Sequence, residues 1–369
     1  MFLLIALLLV FCGFLQDTDV VLSGTMLDND TVSLIFSGDI MGHSPQFKAA
    51  YDPITKTYNY NVCFQHVKSY IENADFAIAN LEIPLAGAPY SGYPNFSSPD
   101  ALLDALKNAG YDILLTANNH VNDRRKAGLE RTIHVINDRK LKYAGSYINK
   151  TQRDSIYPLI MEQKGVRIAL LNCTYGTNGN PVHSPNIVNM IDTVQIKKDI
   201  KKAEALNVDL IVMTIHWGNE YELKGNVEQQ KLSQLFVREG IDLVIGGHPH
   251  VVQNAAFMTK NSSVVPVFYS LGNSVSNQRK PNTDGGIMVK IKIGVQSKKI
   301  ISASYLPVYV HKGVLNDKFQ YYLIPTIDFI KSPSTFSIPS NDSLSLIYFD
   351  RQTRLNLQNV SVLDEVFEY

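Results

Sequence analysis

The chain has 369 residues, enough for one large domain or two medium ones and for a sizeable buried core. Lys plus Arg and Asp plus Glu both total 34, so the formal net charge is zero, and no basic stripe stands out beyond the short run Lys197–Lys202. That run reads as the wet face of an amphipathic helix, so nucleic acid is not an expected partner; three cysteines rule out a disulfide framework and a thiolate metal site.

Met1 to Leu15 is almost wholly apolar and turns polar at Gln16-Asp17. The run is short for a membrane span and has the length of a signal-peptide core, although it lacks a positive start beyond the terminal amine. Cys12-Gly13 faintly resembles a lipoprotein processing site, with Phe11 bulky where a small residue is usual. Residues 1–22 are therefore read as a signal peptide or a membrane or lipid anchor. The expected location is the cell envelope, outside the cytoplasm, with the membrane a partner if the leader is retained or lipidated.

After a polar tether, the first strand reads Thr31–Phe36 and ends at Ser37-Gly38-Asp39. A helical pattern covers Phe64–Glu72, and a second strand, Ala74–Ala79, ends at Asn80-Leu81-Glu82. Ser98-Pro99-Asp100 starts a helix, with Ser98 as N-cap and Pro99 in the first helical position, and Gly110 stops it. The third strand, Tyr111–Thr116, leads into Ala117-Asn118-Asn119-His120, followed by a helix over Arg125–Arg139. Apolar strands at Val166–Asn172, Val208–Ile215 and Asp242–Ile245 alternate with helices at Asp192–Leu206 and Val227–Glu239. Strands at Val264–Ser270, Gly286–Ile293 and Ile300–Val310 then follow one another directly. Early alternation and late succession of strands predict an α/β layered architecture over residues 31–328. Residues 329–369, looser and rich in Ser, Pro and Asn, form an appendage with a strand or helix around Leu344–Gln358.

Each strand ends in residues of metal-ligand type: Asp39, Glu82, Asn119 with His120, His216, and the pair His248 and His250. Residues just past the carboxyl ends of neighbouring strands converge on one crevice in such a sheet. In Gly246-Gly247-His248-Pro249-His250, the glycines are expected to let the backbone bend while Pro249 sets the geometry between two imidazoles. Each residue has an ordinary alternative. Asp39 can cap a turn, Glu82 can be a loop acid, Asn118 and Asn119 can be turn formers, and His216 can be a buried partner of Trp217. Their joint occurrence at successive strand ends points instead to a metal site. Mixed nitrogen and oxygen donors suit Mn, Fe, Zn or Co, and the donors outnumber the needs of one ion, so two ions sharing a carboxylate are inferred. His66, His134, His183 and His311 lack this context, the first two falling within helical patterns.

The series Ser37-Gly38-Asp39-Ile40-Met41-Gly42, Asn80-Leu81-Glu82-Ile83-Pro84, Ala117-Asn118-Asn119-His120, His216-Trp217-Gly218-Asn219-Glu220-Tyr221, Gly247-His248-Pro249-His250 and Tyr269-Ser270-Leu271-Gly272-Asn273 resembles the CapA family. This group of capsule or poly-γ-glutamate biosynthesis proteins lies within the calcineurin-like metallophosphoesterase superfamily. The likeness runs from about Val32 to Val310 and implies a four-layer α/β/β/α sandwich, exported and often membrane-anchored, with two divalent transition metal ions at one edge. It implies Asp39, Glu82, Asn119, His216, His248 and His250 as metal ligands and His120 as a proton donor. Glu220 and Asn273 are read as residues that orient the ligands. The superfamily's first motif is Asp-x-His, whereas Ile40, Met41 and Gly42 separate Asp39 from His43 here. His43 is thus a substitute ligand, a substrate contact or a plain loop histidine.

The expected activity is phosphoester hydrolysis by a metal-activated water, on a phosphorylated envelope intermediate. The alternatives are a metal-dependent γ-glutamyl amide hydrolase or transferase, and a non-catalytic export component that binds an anionic polymer. Capsule synthesis and export proteins are the expected protein partners.

Overall fold

Two sheets carry the site between them in the computed structural model, which describes residues 30–261, 263–315, 318–336 and 338–357. The apolar leader with Cys12, and the chain beyond Leu357, lie outside the described residues. The first sheet has eight strands, in the order Lys318–Pro325, Ile300–Leu315, Gly285–Gly294, Thr31–Ile40, Phe76–Leu81, Ile113–Leu115 and Lys142–Ala144, with Asn273–Val275 also paired to Thr31–Ile40. The second has six, in the order Ala255–Lys260, Ser263–Phe268, Leu243–Gly247, Leu210–His216, Val166–Thr174 and Leu159–Gln163. The first is parallel from Thr31–Ile40 to its edge at Lys142–Ala144 and antiparallel through Gly285–Gly294 to Lys318–Pro325 on the other side, and the second is parallel at the centre and antiparallel at both edges.

The central strands are nearly continuous apolar runs because both faces are covered. Thr31–Ile40 is buried from Val32 onward, and Leu210–His216 is buried throughout. Helices Ala101–Ala109 and Arg125–Asp138 connect strands of the first sheet, and Thr193–Ala205 and Val227–Glu239 those of the second. Each turns an apolar face inward, such as Ile196, Ile200 and Ala203. The sheets pack against each other with their parallel strands running the same way. At the starting end Lys164 Nζ bonds Asp30 and the Thr31 carbonyl, and at the finishing end the His248 N–H bonds Asp39. The result is an α/β/β/α sandwich with both sets of carboxyl strand ends at one edge.

Most elements lie within a few residues of their sequence positions, and four differences have local causes. The helix expected at Ser98 begins at Ala101 with Asp100 in the capping position. The Ser98 N–H is committed to the Pro84 carbonyl, and Asp100 is held bidentately by Arg131 at 2.7 and 2.8 Å. His66 sits in the turn between two short helices, Asn61–Phe64 and Lys68–Glu72, rather than within one helix. Strands Lys142–Ala144, Leu159–Gln163, Ala255–Lys260 and Lys318–Pro325 were not read from the sequence; they lie at or next to sheet edges, where pairing with a neighbour defines the strand. Around the position left open between strand and helix, Ser340–Leu357 is a helix that buries Leu346, Phe349 and Leu357. Cys63 and Cys173 are buried free thiols, the latter against Met213. No helix among the described residues is long and apolar enough to cross a membrane.

Candidate metal centre

Asp39 and Glu82 lie at the ends of adjacent parallel strands and are fully buried. His216 ends a strand of the opposite sheet, and His248 and His250 follow its neighbour, Leu243–Gly247. All three imidazoles are buried. Two groups emerge in which the donor atoms lie within 4.8 Å of one another: Glu82, His216 and His248, and Asp39, Glu82 and His250. Glu82 belongs to both. Its Oε1 lies 3.4 Å from His216 Nε2 and 3.8 Å from His250 Nε2. Asn119 joins the first group, its Oδ1 2.9 Å from His216 Nε2.

The residues fit a divalent cation. Glu82 Oε1 and His248 Nδ1 are buried without a hydrogen-bond partner, an arrangement that is costly unless another group satisfies them. Burial and the adjacent Asp39 push the Glu82 carboxyl well above its ordinary range, the electrostatic signature of a carboxylate that needs positive charge beside it. For Asp39 burial also acts upward, but the hydrogen bond with His250, the His216 and His250 charges and the Asn80 amide overcome it and hold the group below its ordinary value. Burial, then repulsion among the histidines, drives His216 well down and His248 down to about 4. Neutral imidazoles are the form that ligates metal.

The turn that presents His248 and His250 works differently from its sequence reading. The positive backbone angles fall on the histidines, φ 99° at His248 and 59° at His250, not on the glycines before them. Such conformations cost on the order of 1–3 kcal/mol each in a non-glycine residue and persist where the surroundings enforce them. The glycines provide close approach. A Cβ on Gly246 would stand 2.0 Å from the Tyr269 carbonyl oxygen, and one on Gly247 2.8 Å from Asp39 Oδ1. Gly246 lets its strand pack against the Tyr269 backbone at the end of the neighbouring strand, and Gly247 lets the second sheet bring its histidines down onto the carboxylate of the first.

A shell of amides fixes the donors. Asn80 Nδ2 donates to Asp39 Oδ1 at 2.8 Å, and Asn118 Nδ2 donates to Asn80 Oδ1 at 3.1 Å and to the Leu81 carbonyl at 2.8 Å. Asn273 pairs in register with Asp39 across the strands, and its Oδ1 lies 3.1 Å from His250 Nδ1. Glu220, by contrast, is on the exposed turn after His216, outside both donor groups, and reaches Glu82 and His248 only through its charge. Trp217 is core: its Nε1 donates to the Tyr269 carbonyl at 2.9 Å and its ring stacks on Phe236.

His120 stands beside the donor groups rather than in them. Its Nδ1 is 2.8 Å from Asp123 Oδ2, and Phe96 packs edge-on against its ring. The carboxylate sets Nδ1 as the protonated nitrogen and leaves Nε2 as the working atom. His43 is turned aside. It caps helix Ser44–Ala50, with Nδ1 3.1 Å from Gln46 Oε1 and 3.3 Å from the Asn277 backbone nitrogen, and it belongs to neither donor group. Burial lowers its pKa to about 4. Sequence reading passed over Asp123, Asn80 as an orienting residue, and Tyr175, which stacks on His216 and packs 4.5 Å from the His248 ring. Only Asp123 left a usable signal, an acid one helical turn beyond His120.

The curated relatives include a capsule biosynthesis protein, CapA, of Bacillus anthracis, 29% identical over 325 residues that make up 84% of this chain and 75% of that protein. The PGA biosynthesis protein CapA of Bacillus subtilis (strain 168) is 25% identical over 71% of this chain and 68% of its own. Among solved structures, the NAD nucleotidase of Haemophilus influenzae matches with a TM-score of 0.49 at 10% identity, over 91% of this chain. This chain covers 64% of that enzyme, less than two thirds of its length. The 5′-nucleotidase of Candida albicans SC5314 matches at 0.43 and 16% identity, over 89% of this chain and 58% of its own. The family described as bacterial capsule synthesis protein PGA_cap matches residues 33–278, two-thirds of the sequence and the whole of the donor constellation, and the chain belongs to it.

Proposed function

We propose that this protein is a metal-dependent hydrolase of capsule biosynthesis, cleaving a phosphoester of a cell-envelope intermediate. The observation that carries the reading is Glu82, a buried carboxylate shared by two donor groups with one oxygen left unpartnered. One ion would be held by Glu82, Asn119, His216 and His248, and a second by Asp39, Glu82 and His250. Mn, Fe and Zn suit these mixed donors. Divalent cations bound there supply Lewis acidity toward an ester oxygen and lower the pKa of water toward neutrality.

The chain's own groups do the rest. The amides of Asn80, Asn118 and Asn273 hold the donors in place, so little reorganisation accompanies reaction. His120 Nε2 delivers a proton to the departing oxygen, and Asp123 holds the ring and stabilises its charged form. Phe96 and Tyr175 flank the histidines and limit water around them. Export through residues 1–22, and residence in the envelope with capsule synthesis and export proteins as partners, belong to the same proposal.

A second reading is favoured by the PGA biosynthesis relative: the same chemistry directed at a γ-glutamyl amide, by hydrolysis or transfer. Purified protein loaded with Mn²⁺ separates the two. Release of nitrophenol from an aryl phosphate ester, lost in His120→Ala, supports the first. Release of glutamate from poly-γ-glutamate with no turnover of aryl phosphates supports the second and removes the first.

A further inference from the structure

The segment after Asn273–Val275 is built into the site and carries two cations that the chemistry above does not use. Its base is pinned to the donor shell. Asn273 Nδ2, from the residue whose Oδ1 meets His250, donates to Gln278 Oε1 at 3.0 Å and to the Thr283 carbonyl at 2.8 Å. The Asn277 backbone nitrogen lies 3.3 Å from His43 Nδ1. The turn closes on itself where the Thr283 N–H and hydroxyl both donate to the Lys280 carbonyl, at 3.1 and 2.8 Å. A loop tied at both ends holds its exposed tip residues, Arg279 and Lys280, at a defined place beside the site.

That place is the wall next to His250. Lys280 Nζ stands 3.7 Å over the ring of Tyr221, and the same ring lies 6.4 Å from that of His250. Tyr221 is itself held in a left-handed conformation, φ 70°, its N–H bonded to the Pro249 carbonyl at 2.8 Å, so its backbone is tied to the turn that carries His248 and His250. The Arg279 guanidinium lies 6.0 Å from the centroid of the Tyr321 ring and its charge reaches His43. Two exposed cations therefore stand on aromatic platforms along one side of the donor groups. An ammonium over a tyrosine face keeps its protons available to a further acceptor.

We propose that Arg279 and Lys280 form a cationic rim that grips an acidic group of the substrate next to the one that reacts. The group they grip is an anion, a carboxylate or a phosphate, beside the reacting bond. The rim rests on the hydrolase reading of the site, because it holds the substrate of that reaction. Exposed charges act mainly on encounter and register, and their contribution fades with salt.

The test uses the full-length, Mn²⁺-loaded protein and two probes, a poly-γ-glutamate oligomer and an inorganic polyphosphate. In the double variant Arg279→Gln, Lys280→Gln the dissociation constant of one probe rises about tenfold at low ionic strength, the difference shrinking at high salt. The probe that responds identifies the acidic group. The charge-keeping variant Arg279→Lys, Lys280→Arg restores most of the affinity, and metal content per chain, read by mass spectrometry, stays at the wild-type value. Equal affinity of wild type and double variant for both probes overturns the rim alone. A wild type that takes up no Mn²⁺ overturns instead the hydrolase reading beneath it.

Discussion

The turn Gly246–His250 of one sheet and the turn Gly38–His43 of the other both end a buried central strand, yet they treat their histidines in opposite ways. His248 and His250 are forced into left-handed backbone geometry and pressed against Asp39 and Glu82. His43 has an unstrained extended backbone, φ −65° and ψ 152°, and its imidazole is spent on Gln46 and Asn277 at a helix start. Between these two turns, strain marks the histidines brought to the site, and ordinary capping geometry marks the one left out. The consequence is asymmetry. The group of Glu82, His216 and His248 gains Asn119 as a fourth donor, while that of Asp39, Glu82 and His250 has no fourth side chain from His43.

The largest effect that probes this contrast is expected at the residue both halves share. Glu82→Gln keeps the shape but removes the charge, and Mn²⁺ affinity should fall by more than about a hundredfold at both positions, read by calorimetric titration. An unchanged isotherm would remove Glu82 from the site. Next comes His120→Ala, which should lower kcat by about 10²–10⁴-fold while metal content holds, since His120 lies outside both donor groups. Asp123→Asn should cost less, about 10–100-fold, because the imidazole keeps its place and loses only its orienting charge. A fall in metal content in either variant would show that this dyad is structural to the donors instead.

The two turns can then be separated by paired substitutions. His248→Ala and His250→Ala should each lower metal content, the first emptying the fuller group and the second the sparser one. His43→Gln should leave metal content alone, and its mark should be on acid stability. The folded His43 has a pKa of about 4 against an ordinary 6.5. Between those values the unfolded chain takes up a proton that the folded chain refuses, so stability falls as the pH drops through that window. Asp39, held below its ordinary 3.8, acts in the same sense only at pH below that value, and Glu82, held above its own, acts against it. The metal-free His43→Gln variant should therefore lose less Tm than wild type between about pH 6.5 and 4. Equal losses would place the His43 ring in solvent.

The candidate donors were legible in the sequence because they stand at the carboxyl ends of apolar runs, and the face-to-face packing of two sheets, rather than strand order within one, brings them together. Asp39, Glu82, Asn119, His216, His248 and His250 meet at one edge for that reason. What the sequence concealed depends on contacts across distant segments. Asn80 had no role of its own in the sequence, and the packing of the sheets places its amide 3.3 Å from His216 Nδ1. The role of Gly246 and Gly247 was misjudged because close approach of a carbonyl or a carboxylate leaves no local signature, whereas a bend does. Edge strands such as Ala255–Lys260 escaped reading because they are only partly buried and their pairing partner defines them.

The shared-carboxylate arrangement is tested most directly by counting metal. Wild-type protein titrated with Mn²⁺ should take up two ions per chain, as the proposed sharing of Glu82 between two donor groups predicts, and Glu82→Gln should take up essentially none. A single ion in the wild type, retained with unchanged affinity in Glu82→Gln, would contradict the account.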